Sequence, residues 1–462
     1  MNKRLATLVI IMLGIAFSSS VQALDLTETG KVAMHGFITQ GYLLTDDNNF
    51  MADTEDDGTS QFNEIGINFT SDVSDRLRMG IQFIARDLGQ MGNHEVTIDW
   101  AVADYSMIDW FNVKAGKIKM PRGLYNTGRD IDMLRSFVFL PQSIYTEGWR
   151  DSINTLSGGG AYGYVPVGFL GEMTYDLLGG TIEMAPDGGE ARLLEDQVPQ
   201  YLKVDVQEMN TVLSWDASLA VDNFLSLDGL KVATNYIYHE FDATCDVWDG
   251  TVVYKYAPGS SIPLATPAGG GLAGDSAYIF PTEQSQFHVE MDVISVGLEY
   301  TLCNTVFAAE YSDTGYKLNM PLFNGTDTTS INKDFHSVGY YGSVSHRFSD
   351  WFEMGVYYSE YYANKDDKDG KDAVAAAAVS SPLLPVLLGY TPSVQDHTKW
   401  LKDTCLAFRF DLTPNWILKM ETHYMDGAAL LFSADGNMNA AGTATDYDEN
   451  WMLYAAKLSY SF

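Results

Sequence analysis

Apolar and polar residues alternate one for one through much of this chain, in short runs separated by turn and loop composition. In the last run Met452, Tyr454, Ala456, Leu458, Tyr460 and Phe462 fall on one face, and Ala455, Lys457, Ser459 and Ser461 on the other. Leu77, Met79, Ile81, Phe83 and Ala85 oppose Arg76, Arg78, Gln82 and Arg86. Val96, Ile98, Trp100 and Val102 oppose Glu95, Thr97, Asp99 and Ala101. The same pattern sets Leu230, Val232, Tyr236 and Tyr238 against Lys231, Asn235 and His239. It also sets Val338, Tyr340, Val344 and Phe348 against Ser337, Ser343, Ser345 and Arg347, and Trp416, Leu418, Met420 and Tyr424 against Lys419, Glu421 and His423. A period of two predicts β-strands with unlike faces. An apolar, aromatic face opposite one with lysine, arginine and glutamate suits a strand between lipid and an aqueous lumen. A one-residue slip would put those charges in lipid, so the register is fixed. The stretch from His35 to Leu44 alternates poorly, and its faces are left unassigned.

Short turns are expected at Ser74-Asp75, Asp109-Trp110, Asp228-Gly229, Cys303-Asn304, Ser349-Asp350 and Thr413-Pro414-Asn415. Longer loops are expected near 45–60, 120–152, 242–285, 317–334, 364–397 and 428–449. Short turns at one end and long loops at the other predict an all-β fold, a transmembrane antiparallel β-barrel of about sixteen strands. Residues 165–222 are the hardest part to divide. After the N-terminus no apolar run reaches the roughly 18 residues that a spanning helix needs. The run from Ala373 to Leu388 is broken by Pro382 and Pro385 and reads as loop. At the N-terminus, Lys3 and Arg4 precede an apolar stretch from Leu5 to Phe17, and Val21-Gln22-Ala23 offers small residues for cleavage. Residues 1–23 are therefore expected to be a signal peptide and 24–462 the barrel.

Composition narrows the function. A net charge of −33 excludes nucleic acid as a partner and points to an acidic outer rim. Cys245 is expected in an external loop, Cys303 at a turn and Cys405 on a strand; neither a disulfide nor a metal site follows from such spacing. The Asp366–Asp372 stretch lacks the first and twelfth ligands of a calcium loop, since Lys365 and Ala376 stand there. Gly269-Gly270-Gly271 has no strand-to-helix setting for phosphate, and the histidines are dispersed. No cofactor is expected.

One segment runs against the acidic background. Between Lys114 and Arg150 stand Lys114, Lys117, Lys119, Arg122, Arg129, Arg135 and Arg150, against Asp130, Asp132 and Glu147 alone. Its middle, Phe137-Val138-Phe139-Leu140-Pro141, is too apolar for an exposed tip. The expectation is a loop, 120–152, folded back into the lumen as a pore constriction. Gly158-Gly159-Gly160 on the returning strand would clear room for it against the wall. Lys117, Lys119, Arg122, Arg129, Asp130, Asp132, Arg135, Glu147 and Arg150 are the candidate constriction residues. Fixed charge acts strongly in a narrow, partly dehydrated pore. On this basis Arg129→Glu with Arg135→Glu should turn selectivity toward cations without unfolding the barrel.

Two resemblances add to this. Phe462 at the foot of an alternating strand, with Tyr460, resembles the C-terminal assembly signal of bacterial outer-membrane barrels. GKIKMPRGLYN, FLPQSIY and the WRD before the glycine-rich strand resemble the phosphate-selective porin-like family of Gram-negative outer membranes. The resemblance covers the whole chain in architecture and about forty residues in motif. It implies a barrel integral to the bacterial outer membrane and in contact with its lipid. It further implies a homotrimeric channel for passive diffusion of small hydrophilic solutes, not an enzyme, with Lys117, Lys119, Arg122, Arg129, Arg135 and Arg150 favouring anions. The interleaved Asp130, Asp132 and Glu147 depart from a purely basic lining, so a general porin with opposed charges is equally compatible. Two alternatives stay open: a non-conducting barrel acting as receptor, adhesin or partner sheath, and an enzyme built on the barrel wall.

Overall fold

The computed structural model describes residues 24–25, 32–150, 154–186, 188–196, 202–249, 255–256, 263–264, 283–323, 328–380, 395–432, 437–438 and 445–462. Sixteen strands form one sheet closed on itself. They are β1 (Val32–Thr45), β2 (Asn63–Ser74), β3 (Leu77–Asp87), β4 (Val96–Ile108), β5 (Phe111–Lys119), β6 (Thr155–Pro166), β7 (Glu172–Thr181) and β8 (Leu202–Asp222). The others are β9 (Leu230–Asp249), β10 (Glu283–Leu302), β11 (Thr305–Phe323), β12 (Thr328–Ser349), β13 (Phe352–Tyr362), β14 (Trp400–Asp411), β15 (Trp416–Gly427) and β16 (Asn450–Ser461). Each pairs antiparallel with its sequence neighbours, and β16 closes on β1 with Phe37 opposite Ser461 and Thr45 opposite Leu453. Closure leaves no unpaired edge, the condition for a sheet to stand in lipid. The six short turns read from sequence all fall between consecutive strands. The signal-peptide reading of residues 1–23 and the Gly269-Gly270-Gly271 loop lie outside the described residues.

The outward face is apolar: Ile38, Ile65, Met79, Ile98, Ile294, Val296, Leu298 and Met420 are all exposed large hydrophobics. Aromatics gather at the short-turn end, where Trp351 stacks on Phe410, Phe352 packs on Phe348 and Phe410, and Tyr460 lies between Trp416 and Phe462. A lipid-facing apolar band with an aromatic girdle makes this an integral membrane barrel.

The structure corrects the sequence reading in several places, among them Lys371–Ser380, read as loop and observed as a helix. A register shift between Gln82 and Phe83 leaves Asp99 extra on β4, so Trp100 and Val102 pair with inward Gln82 and Gly80. Only Val96 and Ile98 of that predicted apolar face look outward, because a bulge reverses side-chain direction beyond it. The loop expected from 242 begins later, since β9 runs to Asp249; Cys245 is a buried strand residue, not a loop residue. Much of the loop expected at 317–334 is likewise strand, in β11 and β12. Between β7 and β8 the chain forms a helix, α1 (Gly189–Asp196), which turns Ala191 and Leu194 into an apolar core.

That core lies on the inner face of the wall. Ile237, Phe241 and Ala243 of β9, Phe287, Val289, Met291 and Val293 of β10, and Leu318 and Met320 of β11 are buried together with Ile182, Met184 and Leu194. A second cluster joins Leu43 of β1, Phe50, Met51 and Phe62 with Val138, Phe139, Met425 and Trp451. Both faces of β1 are thus partly apolar, with Phe37, Thr39 and Leu43 buried inside and Ile38 exposed outside. Its poor alternation follows from that.

Candidate functional site

The segment after β5 leaves the wall at Met120 and makes its polar contacts with inward-facing side chains of strands on both sides of the barrel. Gly123 adopts a left-handed turn (φ +57°), and a Cβ there would collide with Glu310 and the Tyr145 hydroxyl. The turn lets Gly123 N–H donate to Asn235 Oδ1 (3.1 Å) and Leu124 N–H to Glu310 Oε2 (3.0 Å). The hydroxyls of Tyr145 (2.7 Å) and Tyr341 (2.6 Å) donate to the other Glu310 oxygen, and Tyr125 donates to Glu299 (2.6 Å).

On the far side, Val138 and Phe139 N–H groups donate to Glu421 at 2.6 and 3.2 Å, and Lys419 Nζ donates to the Asp132 and Phe137 carbonyls. Ser136 donates to Glu353, and Arg409 to the Arg135 carbonyl. Phe139 stacks on Phe62 with ring centroids 5.2 Å apart and meets the edge of Phe50 at 5.6 Å. A short helical turn, α2 (Gln142–Tyr145), then lies on β12, where a Cβ on Gly339 would fall on the Ser143 carbonyl. Gly339 is therefore a wall glycine that admits the segment, as are Gly297 against Leu124 and Gly355 against Phe137. The run Gly158-Gly159-Gly160 does not: the atoms a Cβ would meet at Gly158 and Gly160 belong to β7.

The candidate charges sort into one connected network, a separate group around Asp130, and Arg122 and Lys117 apart from both. Glu147 receives Arg129 at 2.8 Å and Arg86 and Arg150 at 3.4 Å each. Arg150 continues to Glu64 (2.5 Å), Glu64 to Lys457 (2.9 Å), and Lys457 to Asp132 (3.4 Å). Asp132 also holds Lys419 (3.0 Å), Arg135 (3.3 Å) and the Ser459 hydroxyl (2.6 Å). Asp130 pairs with Lys119, which reaches Asp99 as well, and accepts from Gln82. Arg122 is buried beside Tyr145, Tyr316 and Glu310, yet its Nε and Nη1 have no hydrogen-bond partner. Lys117 has its amine on exposed Glu183. Sequence reading put Arg86, Lys419, Glu421 and Lys457 on inward faces without assigning them a role, and it missed Glu64, Glu310 and Glu353. An acidic or basic residue at an inward strand position was the available signal.

Burial alone would raise the Glu147 carboxyl, but Arg129, Arg150 and Arg86 outweigh it and hold the group at about 2, against an ordinary 4.5. A depressed folded pKa stabilises above the unfolded value, and that contribution is lost as pH falls through the folded one. Loop anchoring, read as protease resistance of the segment, should hold from neutrality to about 4.5 and weaken between there and about 2. Release already near neutrality would contradict these pairings.

Arg122 has the opposite balance. Burial lowers its pKa, and each buried unmet donor costs about 1–3 kcal/mol. Arg122→Met is expected to leave denaturant stability unchanged or raise it by about 1–3 kcal/mol. A clear loss would mean that the attraction to Glu310 outweighs the missing bonds.

No family model matches the chain, and no curated protein matches it in sequence. Solved structures do match its fold. The anion-selective porin from Comamonas acidovorans is 10% identical, with 93% of this chain and 99% of that chain covered and a TM-score of 0.50. The outer-membrane channel DcaP of Acinetobacter baumannii is 11% identical over 96% and 100%, also at 0.50. OprB of Pseudomonas putida is 12% identical over 97% and 100%, again at 0.50. At such identities the likeness is one of fold: the chain is a sixteen-stranded barrel of the porin architecture.

Proposed function

We propose that this chain is a channel of the bacterial outer membrane, through which small hydrophilic solutes diffuse passively past a constriction formed by residues 120–152. The observation that carries the reading is the line of buried ion pairs from Arg86 and Glu147 through Arg150, Glu64 and Lys457 to Asp132 and Lys419, joined to inward wall residues of a closed barrel. A cleft beside it is lined by both signs, with Arg86, Arg135, Arg150 and Lys457 facing Glu64 and Glu147. Paired charges give a local field of opposed sign, not an anion-attracting ring, so only weak anion preference is expected. The acidic loops outside work against anion capture as well.

The same reading takes residues 1–23 as the removed signal peptide and the assembly as a homotrimer in outer-membrane lipid. An outward groove lined by Phe69, Met79, Ile81, Ala101, Ala103 and Ala115 is the face it offers a neighbouring subunit. Tyr460 and Phe462 serve as the assembly signal; in the folded chain Phe462 exchanges both backbone hydrogen bonds with Gly36 at 3.0 Å and its ring covers that glycine.

A second reading, a non-conducting receptor or partner sheath, draws on the apolar clusters inside the wall. Planar-bilayer recording of the refolded protein decides between them. Stepwise conductance supports the channel, and silent inserted barrels support the sheath.

A further inference from the structure

The hairpin of β14 and β15 brings together three metal-ligating side chains. Cys405 and His423 are directly opposed across the strand pair, and Glu421 lies next along the same inward face. All three are buried, and their ligand atoms lie within 4.8 Å of one another. His423 Nε2 stands 3.9 Å from Cys405 Sγ and 3.2 Å from Glu421 Oε2. Zinc bond lengths of about 2.3 Å to sulfur and 2.0–2.1 Å to nitrogen or oxygen, set at tetrahedral angles, separate such atoms by about 3.6 and 3.3 Å. The pocket therefore needs only small adjustment to close on an ion.

The surroundings point the same way. His423 Nδ1 faces Asp403 at 3.1 and 3.2 Å, and Asp403 in turn accepts from the Tyr357 hydroxyl at 2.7 Å. A carboxylate on one imidazole nitrogen fixes the tautomer that leaves the other free to bind metal. Phe137 and Tyr357 pack against Cys405 and Ala407, so the site is dry on its thiol side.

We propose that Cys405, His423 and Glu421 form a metal site for a borderline-soft divalent cation, zinc foremost, with Asp403 orienting His423 from behind. On binding, Cys405 gives up its thiol proton to solvent, His423 ligates as neutral imidazole with Nδ1–H on Asp403, and Glu421 ligates as carboxylate. Three protein ligands leave the fourth position to water. Glu421 also receives the Val138 and Phe139 N–H groups, so the ion ties the inner loop to the hairpin. The proposal stands whether or not the barrel conducts.

The test uses the refolded full barrel with Cys245→Ser and Cys303→Ser, which leaves Cys405 as the sole thiol. Refolding with Co2+ should give a thiolate-to-cobalt charge-transfer band, and zinc should displace it at one equivalent per chain. Asp403→Asn should weaken affinity about 10–100-fold, and His423→Gln or Cys405→Ser should abolish the band. Absence of a charge-transfer band in the folded sole-thiol protein would overturn the site, as would a band that survives loss of His423.

Discussion

Asp132→Ala is expected to unseat the inner loop and enlarge the conductance of the barrel. Asp132 is 3% exposed and is the shared partner of Lys419, at 0%, and Lys457, at 1%. Burial by itself would raise its carboxyl, yet Lys419, Lys457 and Arg135 hold it well below the usual range. Removing it leaves buried Lys419 with only the Asp132 and Phe137 carbonyls and no carboxylate partner, while Lys457 keeps Glu64. Breaking a buried pair from one side costs about 3–5 kcal/mol. The barrel wall keeps its hydrogen bonds, so the cost falls on the seating of residues 120–150. The checks are larger conductance steps and new protease sensitivity within that segment. Unchanged steps and unchanged protection would show that Asp132 is not an anchor.

Phe139→Ala should release the same loop through packing instead of charge. Its ring, 3% exposed, stacks on Phe62 and abuts Phe50, within the cluster that contains Trp451 and Met425. Truncating a buried phenylalanine costs about 3–5 kcal/mol, in part through the cavity left behind. The N–H bond to Glu421 survives the change, so the loss isolates the side chain. Phe139→Leu should retain much of the protection. Equal protection in all three proteins by limited proteolysis would place the anchoring elsewhere.

The wall was legible in the sequence because its outward side obeys one rule, apolar towards lipid. The middles of β3, β15 and β16 follow it, and Arg86, Lys419, Glu421, His423 and Lys457 point inward as expected. The rule weakened where the interior was apolar too. β9 turns Ile237, Phe241 and Ala243 inward, so its upper half looked like a loop rather than a strand. The bulge at Asp99 reversed Trp100 and Val102, and nothing in local composition marks it. The arginines singled out the segment between Lys114 and Arg150, but a list of charges carries no pairing. Arg129→Glu with Arg135→Glu reads in sequence as a charge swap at the constriction; with Arg129 2.8 Å from buried Glu147, it becomes a like-charge clash in the interior. Hairpin symmetry about the turn at Thr413-Pro414-Asn415 would have paired Cys405 with His423, had the spacing been counted across strands and not along the chain.

The central claim is a channel narrowed by a charge-balanced loop, and single-channel recording under a KCl gradient tests it most directly. Refolded protein should insert with stepwise conductance and a reversal potential close to zero, and Asp132→Ala should insert with larger steps. Barrels that insert and stay silent with both proteins, or a strongly anion-selective reversal potential in the unmutated chain, would contradict the account.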